Sequence, residues 1–280
     1  MKLVTFLQDG REQPGLLEGE TVRPLPYDDM NQLIETADLA ALPGQAGKPV
    51  PLAAVELLAP IPRPRQDVIC LGMNYRDHLK EAAQYNAGAF AKEKAVAVYF
   101  SKRVNEAGRP GGVIPSHQGL VQRLDYEAEL AVIIGKTAKN VRPEEAGDYI
   151  FGYTVLNDVS ARLLQTEHKQ WYFGKGLDGF TPMGPCILTA DEAAFPPALD
   201  ISCTVNGELR QSSNTANFIT SITDWLVELT QGMTLLPGTI VATGTPAGVG
   251  MGFDPPRFLK PGDVVECAIE KIGALRSTVE

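Results

Sequence analysis

Few of the residue types and motifs that usually announce a function are present in this chain. There are only 4 cysteines in 280 residues. They lie at 70, 186, 203 and 267 with no C-x-x-C pair, which argues against zinc ribbons and thioredoxin-type redox chemistry. They sit mostly in apolar stretches and are expected to be buried, reduced thiols, as in a reducing cytoplasm. No apolar run approaches the roughly 20 residues that span a bilayer, and the opening residues lack a signal-peptide pattern, so a cytoplasmic protein is expected. Internal repeats and low-complexity tracts are missing. The glycine-rich run 242–252 lacks the phosphate-loop pattern G-x-x-x-x-G-K-[ST], and no helix-forming run follows it. The nucleophile elbow G-x-S-x-G is also absent. Basic residues are in the minority, 25 Lys and Arg against 34 Asp and Glu, for a net charge of −9. That balance argues against nucleic acid and against an anionic membrane as the main partner.

What is present reads as an ordinary globular chain, 44% hydrophobic and 21% charged. The length suits a large core with a small domain attached. Residues 1–60 form the small unit, with short strands at 2–7 and 14–17 around a Gln8-Asp9-Gly10 turn and helical spacing over 30–41. Three prolines within Pro60-Ile61-Pro62-Arg63-Pro64-Arg65 predict an extended linker. Beyond it, 66–280 alternates strands with few helices. Strands are predicted at 67–71, 96–100, 240–243 and 264–269. The clearest helix is 221–229, capped by Ser221 with Asp224 in its first turn. This pattern predicts an α+β, mainly β fold and not a doubly wound sheet.

The acids are the most informative residues. Glu127-Ala128-Glu129 opens the apolar run 130–134, and residues two apart on a strand share a face. Asp158 ends a second such run, 151–158. Alternating acids are also common on solvated strand faces, but three clustered carboxylates suit a hard cation, Mg²⁺ or Mn²⁺, better than Zn²⁺. His78 and Glu81 are spaced i, i+3 on a short predicted helix, a spacing that lets a carboxylate orient an imidazole and raise its basicity. A surface pair would read the same way. His117 and His168 lie in polar stretches and are expected at the surface. Lys175 sits among four glycines and two prolines over 174–185. There it is either a solvated lysine on a loop or a partner for a substrate carboxylate. Thr245, in the turn after the strand 240–243, can face a ligand carboxylate.

Taken together, segments 69–81, 125–135, 152–165, 174–185, 204–214, 240–250 and 255–264 resemble the fumarylacetoacetate hydrolase superfamily in its short bacterial form. The order matches over about 60–280, and the first 60 residues match loosely. The resemblance implies a mixed β-sheet roll behind a small N-terminal domain, a homodimer, and Mg²⁺ or Mn²⁺ held by Glu127, Glu129 and Asp158. It also implies a His78–Glu81 dyad on a lid helix and a substrate-binding lysine at Lys175. Gln165, Thr245 and Arg76 are implied as further substrate contacts. The Ala-rich segment 82–95 and Ser101-Lys102-Arg103-Val104-Asn105 depart from the common pattern where the lid shapes the pocket. The implied activity is metal-dependent hydrolysis of a C–C bond in an acylpyruvate-type 2-oxo acid, through an enolate stabilised by the cation. Alternatives on the same site are an oxaloacetate-type decarboxylase and a 2-hydroxyhepta-2,4-diene-1,7-dioate-type isomerase. A metal-dependent binding protein without turnover is the alternative of another class.

Overall fold

The computed structural model describes residues 1–78, 81 and 96–280. Strand dominates, as the alternation of β-branched runs predicts, and the fold is α+β, mainly β. One long mixed sheet carries the site. Its central order is Met183–Thr189, Ile150–Asn157, Ala128–Ile134, Ile240–Ala242, Val68–Gly72 and Val98–Lys102. Four of those five neighbouring pairs are antiparallel, and Ile240–Ala242 lies parallel to Val68–Gly72. A second sheet runs Glu208–Asn214, Asp200–Val205, Val264–Ile269, Gly273–Val279 and Val113–Ile114.

The strand Ala128–Ile134 is buried along its whole length. Its even positions, Ala128, Leu130, Val132 and Ile134, pack into one apolar cluster, and Ala131 and Ile133 pack into another. This two-sided burial explains why its sequence reads as a continuous apolar run instead of an alternation. Glu127 and Glu129 have the odd parity and share the face of Ala131.

Residues 1–60 add strands to the long sheet. Lys2–Gln8 pairs antiparallel with Met183–Thr189, so the N-terminal strands continue the same sheet. The helical spacing over 30–41 gives a helix only at Met30–Thr36. Ala37 is extended, and Asp38 accepts from Ala40 N–H to start a separate turn at Leu39–Ala41. The predicted helix near 221 is realised as Ile222–Gly232. Ser221 and Asp224 exchange side-chain-to-backbone hydrogen bonds there, which satisfy two otherwise orphaned N–H groups. All four cysteines are buried and unpaired. Among the described residues, no helix is long and apolar enough to cross a membrane.

Candidate metal centre and active site

Antiparallel register brings the three predicted carboxylates together. Ala128 faces Asn157, and Asp158 N–H donates to the Glu127 carbonyl at 2.8 Å. Asp158 therefore leaves its strand beside the E-x-E pair. Glu127, Glu129 and Asp158 offer one carboxylate oxygen each within 4.8 Å of one another, and all three are buried. Gly244 N–H donates to Glu129 at 2.8 Å, so the loop after Ile240–Ala242 fixes the third side chain.

Cations crowd this cluster. Lys175 Nζ bridges Glu127 Oε2 and Asp158 Oδ2, 2.7 Å from each. Lys102, fully buried at the end of Val98–Lys102, pairs with the other Asp158 oxygen. Arg162 holds Asp125 at 2.8 Å and Glu127 at 2.6 Å. Burial works to raise the Glu127 carboxyl, but Lys175 and Arg162 outweigh it and hold it below the usual carboxylate range. Glu129 behaves oppositely. Burial pushes it well above that range, and the neighbouring Asp158 and Glu127 push it further.

A divalent cation fits this donor set. The three donors are all oxygen, are buried, and stand close enough to share one hard ion. Asp125, Glu127, Glu129 and Asp158 against Lys102, Arg162 and Lys175 leave one net negative charge when all are ionised. A dication reverses that sign, which favours an anionic ligand.

The histidine of the dyad borders the same cavity. His78 Nδ1 lies 3.0 Å from Glu81 Oε2, and Glu81 Oε1 accepts from Gly248 N–H at 3.0 Å. The cavity is about 160 Å³ and is bounded by His78, Glu127, Glu129, Arg162, Gln165, Lys175 and Thr245 on its polar side. Leu71, Met73, Phe100, Trp171 and Met251 form its apolar side. Phe100 and Trp171 meet edge to face, with ring centroids 5.1 Å apart.

Each predicted site residue can now be located. Glu127, Glu129, Asp158, Lys175, His78 and Glu81 converge. Gln165 borders the cavity with Oε1 accepting from Arg162 at 3.2 Å. Thr245 also borders it, but its hydroxyl donates to the Ala128 carbonyl at 2.9 Å and accepts from Gln211. Lys175 stands on a short helix, Tyr172–Lys175, and not on a loose loop. Arg76 is exposed and does not border the cavity. Two residues along a helical turn are about 200° apart, so with His78 turned inward Arg76 turns out. The segment 82–95, read as lid, lies outside the described residues.

Lys102, Asp125 and Arg162 are charged side chains at this cluster that sequence reasoning missed. The available signal was a charge ending an apolar strand, for Lys102, and a charge within four residues of a motif acid, for Asp125 and Arg162.

Comparison with known proteins identifies the family. The family described as fumarylacetoacetate (FAA) hydrolase C-terminal matches residues 67–280, and an Rv2993c-like N-terminal family matches residues 1–60. Oxaloacetate tautomerase YisK of Bacillus subtilis is 43% identical over 228 residues, covering 81% of this chain and 74% of that one. A fumarylacetoacetate hydrolase structure from Exiguobacterium antarcticum is 42% identical with a TM-score of 0.85, covering 100% of this chain and 99% of that one. A 2-hydroxyhepta-2,4-diene-1,7-dioate isomerase structure from Mycobacterium marinum is 32% identical with a TM-score of 0.77, covering 100% and 98%. The chain belongs to the fumarylacetoacetate hydrolase family.

Proposed function

We propose that this protein is a divalent-cation-dependent enzyme that enolises small 2-oxo acids, with oxaloacetate keto–enol interconversion as its first activity. The observation that carries this reading is a paired imidazole, His78 with Glu81, on the cavity that Glu127 and Glu129 also border. The 43% identity to an oxaloacetate tautomerase supports the choice of substrate.

When bound by Glu127, Glu129 and Asp158, Mg²⁺ or Mn²⁺ supplies Lewis acidity that makes the hydrogens beside the keto group of a 2-oxo acid more acidic. The chain's own residues do the rest. Glu81 holds His78 at Nδ1, which leaves Nε2 as the nitrogen for proton transfer. His78 takes a proton from C3, and the electron pair of that C–H bond becomes the enolate. Protonation on oxygen gives the enol, and protonation at C3 returns the keto form. General-base help of this kind is worth roughly 10²–10⁴-fold. Lys102, Arg162 and Lys175 keep the cavity attractive to a substrate carboxylate.

A second reading is C–C hydrolysis of an acylpyruvate. It is favoured by the same dyad, which can take a proton from water as well as from carbon. Water adds to the distal carbonyl, the C3–C4 bond breaks, its electrons form the pyruvate enolate, and a carboxylic acid leaves. Decarboxylation of oxaloacetate passes through that enolate without water. A homodimer is carried as part of this proposal, with sedimentation velocity as its check.

The test is a substrate panel of oxaloacetate, acylpyruvates of increasing length and 3-deoxy-2-oxo sugar acids. Each is assayed with chelated and with Mg²⁺- or Mn²⁺-loaded protein. Enol absorbance decaying faster than the buffer blank only in loaded protein supports the first reading. Pyruvate release from acylpyruvates supports the second. Oxalate binding without turnover of any substrate would leave a binding protein.

A further inference from the structure

Asp125 and Tyr126 immediately precede Glu127, and both reach the loop that holds the dyad. Asp125 is fully buried. Its Oδ1 accepts from Gly250 N–H at 2.7 Å and its Oδ2 from Met251 N–H at 3.0 Å. The same Oδ2 takes Arg162 Nε at 2.8 Å, and Arg162 continues to Glu127. The Tyr126 hydroxyl donates to the Gly248 carbonyl at 2.9 Å. The other side of Gly248 serves the dyad, because its N–H donates to Glu81 Oε1 at 3.0 Å while Glu81 Oε2 holds His78.

Gly248 has no side chain to anchor itself. Its φ is +102°, and a Cβ there would overlap the Arg210 carbonyl oxygen. Only glycine fits this backbone, so its placement must come from neighbours. Asp125 and Tyr126 supply it from the residues just ahead of the first metal-ligand candidate.

We propose that Asp125 and Tyr126 are positioning residues for the His78–Glu81 dyad, acting through the backbone of Gly248, Gly250 and Met251. The chain Tyr126–Gly248–Glu81–His78 sets where the imidazole stands. The branch Asp125–Arg162–Glu127 keys that loop to the cation site. Catalysis is sensitive to such placement, since a misplacement of about 1 Å can cost on the order of 10²-fold. The inference rests on His78 being the base, and its test has an arm that needs no substrate.

Tyr126→Phe keeps the ring and deletes one hydroxyl. The expected result is a fall in kcat of about tenfold, a fraction of what a general base supplies. KM and Mg²⁺ affinity by calorimetry should stay at the wild-type values, and the thermal midpoint should fall only by the few degrees that the loss of one hydrogen bond costs. In proton NMR of the Mg²⁺-loaded protein, the His78 Nδ1 proton should exchange with water several-fold faster than in wild type. Asp125→Asn keeps the size of the side chain but turns an amide toward Arg162 or Met251. It should give the same NMR change and also weaken Mg²⁺ binding. Losses of Mg²⁺ affinity and thermal midpoint in Tyr126→Phe that parallel kcat indicate a merely structural role and overturn the proposal. An unchanged His78 signal in Tyr126→Phe also overturns it. Should wild type enolise nothing, the functional reading fails, while the NMR comparison still decides this one.

Discussion

Lys175 Nζ sits 2.7 Å from Glu127 Oε2 and 2.7 Å from Asp158 Oδ2, tying together carboxylates from two neighbouring strands. Burial works to lower this lysine's pKa, but Asp158 and Glu127 outweigh it and raise it. Lys175→Met removes the bridge and leaves two buried acids facing one another. Breaking a buried pair from one side costs about 3–5 kcal/mol. The low end is expected here, because Arg162 and Lys102 stay in place. Urea denaturation in chelator should show this loss, and saturating Mg²⁺ should recover part of it. Equal stability of variant and wild type in chelator counts against the bridge.

Glu129→Gln tests the cation site. A cation that binds only the folded protein stabilises it by about 2.7 kcal/mol at one hundred times its dissociation constant. Mg²⁺ or Mn²⁺ should raise the thermal midpoint of wild type and leave that of Glu129→Gln nearly unmoved. A midpoint rise of the same size in both proteins removes Glu129 from the ligand set.

The opposed shifts of Glu127 and Glu129 set a pH signature. Glu129 is raised, so without cation the fold keeps a proton there above the usual carboxylate range. Its contribution to stability is complete below the unfolded pKa and is lost as pH rises through the folded value. Glu127 is lowered, so its contribution is present above the unfolded pKa and is lost as pH falls through the folded one. Cation binding should displace the Glu129 proton within the window above the usual carboxylate range. Calorimetry in two buffers of different ionisation enthalpy measures this directly. Release of no proton in that window contradicts the assignment.

His78→Gln should lower kcat by roughly 10²–10⁴-fold, the loss expected for a general base. Mg²⁺ affinity should hold, since His78 is not among the clustered carboxylates. Initial rates on the substrate panel, with calorimetry alongside, check both halves.

Gly72→Ala probes the apolar wall. A Cβ at residue 72 would collide with the Trp171 ring, which packs directly over this glycine. Overfilling of this kind costs about 1–3 kcal/mol. The second tryptophan, Trp225, is buried elsewhere in the core. A change in tryptophan emission should therefore report Trp171, and the heavier acylpyruvates should show the larger rise in KM.

Local rules reached the carboxylates because a strand's two-residue period puts Glu127 and Glu129 on one face without any tertiary knowledge. They reached the helix start at Ser221 for the same reason, since a capping box is written in four residues. They did not reach Lys102, which meets Asp158 across 56 positions and only through the pairing of five strands. Asp125 and Arg162 sat inside recognised motifs, yet their partners are 125 and 35 positions away, at Gly250 and Glu127. The reading of 30–41 as one helix failed at Ala37, where the Asp38 side chain competes for the backbone.

The sheet that passes from residues 1–60 into the rest of the chain bears on how this protein can be cut. Family comparison divides it between residues 60 and 67, but Lys2 and Leu3 pair with Leu188 and Ile187 across that division. Excising the first 60 residues would leave the Ile187–Thr189 end of that strand as a raw border of unmet N–H and C=O groups. It would also uncover the apolar contacts of Leu3 and Phe6. Borders of that kind recruit strands from other molecules. A piece lacking residues 1–60 should therefore precipitate where the intact chain stays dispersed, with turbidity on concentration as the check.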